Sequence, residues 1–540
     1  MVRLASSIGA RSPVSTPFGS SRRPENLGRG RGSGSGRGSG AHGARSQVDR
    51  APCDCFNAEP KWCRKSEGFG AGAGTHDAEA DTRTGRDSRR MTTHSSKTVL
   101  ETDMKRQAAT PKGIQRRVRD LELGRIRDPR QAAKVKHSLS TLLGVLVVSM
   151  VTMARSLREV EDRSEQIAQK RGLWLGVGQR IADNTFGKVL PRLKFKALVK
   201  RLHAAVKAEK RRGNLEPTQL PIRTAAIDGK NVATLRWFDL CRALTLDPSE
   251  ATPSQVKRRL KKEYPNLQFC KPRDGKPYAL ARVHTVTLIS SAAGCCIHQR
   301  PIAGATNEIG SMPALLKELR AAYGRTGLVE MLTTDAGNTS LGVATAIVDD
   351  LGWDYFCQIK SENGEVYREA DRALGRLRKP AFEYADKQNG NAVTYRVWCH
   401  DLGSTGWLEW THAHQLVRVQ RIAEHPVTGK KTIGNRYYVT SKTHQELGPE
   451  NAIAVSRAHW RCEEETHWTA DAMLQEDRRQ LAWSRHPDGV FIVSLLRMMA
   501  LNILAVARKL SRVGDRHETP RWHQVAQHFL LALCEPALCT

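Results

Sequence analysis

Ile222-Arg-Thr-Ala-Ala-Ile227-Asp228-Gly229-Lys230 and, further along, Leu328-Val-Glu-Met-Leu-Thr-Thr-Asp335-Ala-Gly337 decide how this chain folds. Each is a short apolar and β-branched run that reads as a strand, and each closes on an aspartate with glycine one or two positions later. Between and after them, residues 281–290 alternate as a second strand and residues 296–302 as a third. Residues 311–323 carry helical spacing, and a helix over 339–351 leads into a strand over 353–359. Strands first, then strand and helix in alternation, predict an α/β fold with a mixed sheet. The carboxyl ends of such strands open on one crevice, so Asp228 and Asp335 are expected to face each other across it.

Outward from this core, first part 215–360, the pattern changes three times. Upstream, Leu142, Leu146, Met150 and Met153 recur at helix spacing, and residues 120–200 read as a small helical domain. Downstream, residues 361–450 become β-rich, with Val393-Thr-Tyr-Arg-Val-Trp398, Gln415-Leu-Val-Arg-Val-Gln420 and Arg436-Tyr-Tyr-Val-Thr440 parted by turn residues, which predicts a β insertion. Residues 451–515 return to helices, over 451–473 and 489–510. A basic helix over 254–264 interrupts the core after Asp228. Residues 1–90, rich in Gly, Ser and Arg, cannot bury enough apolar surface to offset chain entropy and are expected to be a disordered basic tail. Translation from Met91 or Met104 would omit it.

The 540 residues are 39% hydrophobic, enough for a substantial core, and 86 Lys and Arg against 55 Asp and Glu leave a net charge of +31. That excess points to a polyanionic partner, because each phosphate neutralised releases condensed counterions. The 12 Cys show no spaced disulfide framework, which suits a reducing cytoplasm. Cys53, Cys55 and Cys63 match no paired zinc-ligand spacing. The apolar run 139–154 is too short for a bilayer and is broken by Ser and Thr, so it reads as a buried helix and no membrane partner is expected. No secretion signal is legible.

Two converging aspartates suit a hard, oxygen-seeking ion such as Mg²⁺, with Mn²⁺ as the alternative. A third carboxylate would complete a site for two ions, one activating an attacking oxygen and the other stabilising the leaving one. Glu463 is the candidate. It lies in His459-Trp-Arg-Cys-Glu463-Glu-Glu-Thr-His467-Trp-Thr-Ala-Asp471, where His459, Glu463, His467 and Asp471 recur every four residues and would share one helix face. Glu464 and Glu465 leave the choice open by one or two positions. Zinc held by His459, Glu463 and His467 is the rival, without an HExxH motif to support it.

These residues resemble a known family. Asp128-Pro-Arg130, Ala226-Ile-Asp228-Gly-Lys230, Thr306-Asn-Glu-Ile309, Leu332-Thr-Thr-Asp335-Ala336, Tyr355-Phe-Cys-Gln-Ile-Lys360, His459-Trp-Arg-Cys-Glu463 with His467-Trp468 and Asp471, Glu476-Asp-Arg478, and Arg497 with Ala500-Leu-Asn502 stand in the order and spacing of the H-repeat-associated transposases. The resemblance covers residues 128–504 and implies a DDE enzyme of bacterial insertion sequences on an RNase H-like core. It further implies Asp228, Asp335 and Glu463 as metal ligands, and DNA, both element ends and target, as partner. Lys230, Lys360, His459 and Trp460 become DNA-binding candidates, the helical domain an end-recognition unit, and a homodimer on paired ends the working assembly, near the nucleoid. Cys462 replaces the hydrophobic residue the family places before its Glu. A repair or junction nuclease on the same fold, or an inactive DNA-binding remnant, are the alternatives.

Overall fold

The computed structural model describes residues 112–169, 175–273, 275–388, 390–403, 408–476, 486–511 and 520–534. The expected disordered tail, Cys53, Cys55 and Cys63, and Asp477-Arg478 lie outside them.

The chain opens in helices: α1 (residues 112–120), α2 (Leu139–Val151), α3 (Leu157–Gln169), α4 (Asp183–Val189) and α5 (Phe195–Arg211). Arg130 forks onto Asp128 and donates to His137 O at 2.6 Å, and Ser138 Oγ caps α2 by accepting from Thr141 N at 3.1 Å. Next come β1 (Thr224–Leu235), α6 (Trp237–Ala243), the basic helix α7 (Pro253–Glu263), β2 (Leu267–Cys270), β3 (Tyr278–Leu288) and β4 (Cys296–Pro301). Helix and strand then alternate through α8 (Glu308–Tyr323), β5 (Met331–Thr334), α9 (Leu341–Thr345) and β6 (Asp354–Ile359). After α10 (Glu365–Leu374), four strands form long hairpins: β7 (Phe382–Gln388), β8 (Asn391–Asp401), β9 (Gln415–Glu424) and β10 (Lys431–Thr440). The chain closes with α11 (Pro449–His459), a π-helical segment (Cys462–His467), α12 (Trp468–Leu474), α13 (Pro487–Leu510) and α14 (Trp522–Cys534).

All the described strands join one mixed sheet in the order β2-β3-β1-β5-β6-β10-β9-β8-β7, with β4 beside β2 on the outer edge of β3. β1 runs antiparallel to β3 but parallel to β5, and β5 parallel to β6. The β-rich stretch is not a separate layer. β10 pairs antiparallel with β6, Tyr437 opposite Ile359, and carries the sheet on through β9, β8 and β7.

Three sequence expectations need correction. β1 does not stop at Asp228; it continues to Leu235 against β3, while its pairing with β5 ends at Ile227–Thr334. Gly229 reads as a stop, yet a glycine inside a strand equally marks a place where something approaches the backbone closely. The helix expected over 451–473 is interrupted by the π segment, which adds a residue to the turn and spoils the four-residue register of His459, Glu463, His467 and Asp471. Finally, from sequence the 139–154 run alone is weighed against a bilayer. α13 is long and apolar enough by length and composition to cross a bilayer, but 94% of its most apolar window is buried inside the protein.

α13 organises the core, packing on α2, α5, β1, β3, β4 and α14. Its few polar residues serve the sheet: Asn502 accepts from Cys296 N at 2.8 Å and donates to Cys296 O at 2.7 Å, and Ser494 accepts from Gln299 at 3.0 Å. The Asn502 bonds satisfy the Cys296 backbone groups on the buried edge of β4, which has no further strand neighbour among the described residues.

Candidate active site

Asp228 sits where β1 leaves β5. There the sheet divides, with β1 turning away along β3 while Asp335 ends β5. Asp228 Oδ1 accepts from Gly229 N at 2.8 Å, and Oδ2 meets His467 Nδ1 at 3.2 Å. Burial alone would raise this carboxyl, but the His467 hydrogen bond and the charges of His467 and His459 outweigh it and hold Asp228 below the usual carboxylate range. Asp335 caps the 3₁₀ turn Ala336–Asn338, accepting from Asn338 N at 3.1 Å and Asn338 Nδ2 at 2.7 Å. Those bonds fix its rotamer toward the gap beside β1.

Glu463 reaches the gap from the π segment. Burial, then the charges of Asp228 and Asp335, push its carboxyl up to about 7. Glu463 therefore senses both aspartates, each supplied by a separate element. Of its neighbours, Glu465 is paired with Arg461 at 2.8 Å, and Glu464 lines a groove with Trp460. Among the described residues, no three His, Cys, Asp or Glu side chains stand within a single coordination shell.

The remaining sequence candidates fall in different places. His459 is buried beneath the gap, its Nδ1 2.7 Å from Thr333 Oγ1, and burial lowers its pKa. Trp460 borders a groove of ≈ 940 Å³ between α11 and the β7–β10 hairpins, and the Arg436 guanidinium lies 4.3 Å over its ring. Arg421, Arg457, Arg461 and Lys387 line the same groove. Lys360, exposed at the end of β6, borders another groove with Gly337 and Ser340, the residues just beyond Asp335.

Lys230 is buried. Its ammonium contacts His467 O, Asp471 and Glu476, each at 2.9 Å, so all three of its donors are used inside the protein. Glu476, fully buried, also faces Arg497 at 3.7 Å. Lys230 thus ties β1, two residues past Asp228, to α12, just past Glu463. Nothing near Lys230 in sequence announces this, because its partners lie more than two hundred positions away.

Sequence reasoning gave no role to Glu308 or Asn338, which border the gap, nor to Arg436. Glu308 was visible in Thr306-Asn-Glu-Ile309, but no spacing rule connects it to either aspartate.

The fold and site together define an α/β protein with an acidic crevice where two parallel strands part, flanked by one arginine-lined groove and another bordered by Lys360. The sequence as a whole is similar to "Putative transposase YncI" of Escherichia coli O157:H7, 23% identical over 395 residues, which cover 70% of this chain and 85% of that protein. It is 26% identical over 234 residues to "H repeat-associated putative transposase YhhI" of Escherichia coli strain K12, covering 41% of this chain and 58% of that protein. "Putative protein YbfL" of the same strain matches over the same length and at the same identity. Similarity to a named putative transposase thus extends over 70% of the chain, and to the H repeat-associated one over 41%. No family model matches the chain. A solved piggyBac transposase synaptic complex with hairpin DNA is 10% identical at a TM-score of 0.36, over 76% of this chain and 75% of that one, a likeness too slight to bear on the fold.

Proposed function

We propose that this chain is a DDE transposase that cuts and rejoins DNA at the ends of an insertion sequence, with Asp228, Asp335 and Glu463 as its metal ligands. The observation that carries the reading is that three acids from different elements, Asp228 of β1, Asp335 after β5 and Glu463 of the π segment, come together at the gap between β1 and β5, where the two aspartates raise the Glu463 carboxyl. The strand order supports an RNase H-like core: three antiparallel strands, β4-β3-β1, continued by parallel β5 and β6.

The residues suit a divalent cation. Their donors are hard oxygens, as Mg²⁺ or Mn²⁺ prefers. Partly buried anions without compensating cations are costly, and the raised Glu463 carboxyl reflects that cost. When bound, the metal would supply activation of a water or 3′-hydroxyl and stabilisation of the leaving oxygen. The protein's own share is positional. His467 holds Asp228, Asn338 holds Asp335, and the Lys230 tether holds β1 against α12. Arg436 with Trp460 on one side, and Lys360 on the other, would guide the phosphate backbone toward the acids. End recognition falls to the N-terminal helices, and two protomers would bring paired ends together.

The test is cleavage, by the full chain in Mg²⁺, of a duplex carrying the DNA that flanks the gene. Site-specific nicks that disappear in Ca²⁺ and fall on the order of 100-fold or more with Asp335→Asn are expected. Tight binding with no nicks in Mg²⁺ or Mn²⁺ would instead mark an inactive DNA-binding remnant.

A further inference from the structure

We propose that Glu308 is a fourth carboxylate of the crevice and shares the divalent cation with Asp228 and Asp335; the inference rests on the metal-dependent reading above. Glu308 opens α8, directly after β4. Two contacts fix its backbone. Asn307 Oδ1 caps the helix by accepting from Gly310 N at 2.9 Å, and His284 Nε2 donates to Glu308 O at 3.0 Å. His284 is fully buried on β3 opposite Gly229, so its side chain and any side chain at 229 would project from the same face of the sheet. What occupies the space above Gly229 is the Glu308 carboxylate. A methyl group on Gly229 would collide with all three of its terminal atoms, the nearest atoms to it, at 2.4–2.8 Å. The glycine that follows Asp228 thus makes room for a second acid beside the first.

Asn338 links this carboxylate to Asp335. Its Nδ2 lies 2.7 Å from Asp335 Oδ1 and 3.5 Å from Glu308 Oε2. The oxygen of the same carboxamide is completely buried and accepts no hydrogen bond. Arg282, the cation that most favours ionised Glu308, spends an N–H on Thr306 O at 2.7 Å. Burial, then the charges of Asp335 and Asp228, raises the Glu308 carboxyl above its usual range. A first-turn glutamate also suits a helix dipole. That role alone requires neither the cleared space over Gly229 nor the orphaned amide oxygen.

Mn²⁺ binding to the full chain, followed by electron paramagnetic resonance and by thermal melting with and without Mn²⁺, tests the inference on wild type, Asp335→Asn, Glu308→Gln and Gly229→Ala. Gly229→Ala removes no charge, and the nearest atoms it displaces are those at the flexible end of Glu308. Both Glu308→Gln and Gly229→Ala should weaken Mn²⁺ about tenfold or more and reduce the Mn²⁺-induced rise in Tm. Glu308→Gln should melt no lower than wild type in metal-free buffer, because repulsion is relieved. If Asp335→Asn weakens Mn²⁺ while Glu308→Gln and Gly229→Ala bind as wild type does, Glu308 plays no part and the three-acid reading stands alone. If Asp335→Asn also binds like wild type, the metal-dependent reading falls, and this inference with it.

Discussion

At the scale of single residues, the crevice separates side chains that sequence spacing treats alike. Glu463, Glu464 and Glu465 are equivalent as letters, but Glu463 stands where Asp228 and Asp335 help push its carboxyl up to about 7, whereas Glu465 is bound to Arg461. Glu463→Gln is therefore expected to lower cleavage on the order of 100-fold or more, while Glu464→Gln and Glu465→Gln stay near wild type; parallel nicking assays decide it. Lys230 gives the opposite lesson. Beside Asp228 in sequence it looks poised for phosphate, but its donors are used on His467, Asp471 and Glu476. Lys230→Met would strand two acids, one of them fully buried, and should cost about 3 kcal/mol in urea unfolding. Lys360→Met, at an exposed strand end, should leave stability unchanged and weaken DNA binding. A Lys230→Met protein of wild-type stability with weakened DNA binding would return Lys230 to the DNA.

At the scale of elements, the strands that deliver the aspartates are legible because β-branched runs need a pleated surface, and both runs read clearly. What runs beyond them is less so. The continuation of β1 past Gly229 depends on β3, supplied some fifty positions later. β2 and β7 have their faces set by neighbours rather than by their own periodicity, whereas α10 buries Val366, Ala370 and Leu374 at regular helical spacing. The π segment has no signature in residue types, so a polar repeat of four was read as one regular face. α8 shows how an element is held in place: Glu318 accepts from His298 of β4 at 3.1 Å and pairs with Arg300 of the same strand. Burial would raise Glu318, but those partners outweigh it and bring its carboxyl down to about 2. A depressed carboxyl contributes stability above its unfolded value and loses it as pH falls through the folded one. The stability gap between wild type and Glu318→Gln should thus be constant from pH 5 to pH 8 and close as pH falls from 4.5 to about 2. A gap that persists at the acid end would show that packing, not charge, clamps α8.

At the scale of the whole molecule, a net charge of +31 guarantees attraction to nucleic acid and says nothing about where it binds. The fold supplies the distribution. Because β10 extends the central sheet, the β7–β10 hairpins place Arg421 and Arg436 opposite Arg457 and Arg461 of the Glu463-bearing helical run, across one groove. Several of these guanidiniums are already engaged: Arg461 by Glu465, Arg457 by Asp386, and Arg436 over Trp460. If the groove carries DNA, such partners are exchanged for phosphates, and the cost of breaking them lowers affinity without removing the counterion gain. Arg436→Gln should then flatten the slope of log binding constant against log salt by about one. It should also free the Trp460 ring, so that a change in Trp fluorescence accompanies DNA binding differently from wild type. A double substitution, Arg421→Gln with Arg436→Gln, should flatten the slope by about two, since separate phosphate contacts add. Equivalent changes at Lys196 and Lys200, exposed on α5, provide the comparison. If these alter the slope while the groove substitutions do not, DNA tracks the N-terminal helices, and the groove beside Glu463 is not its path to the acids.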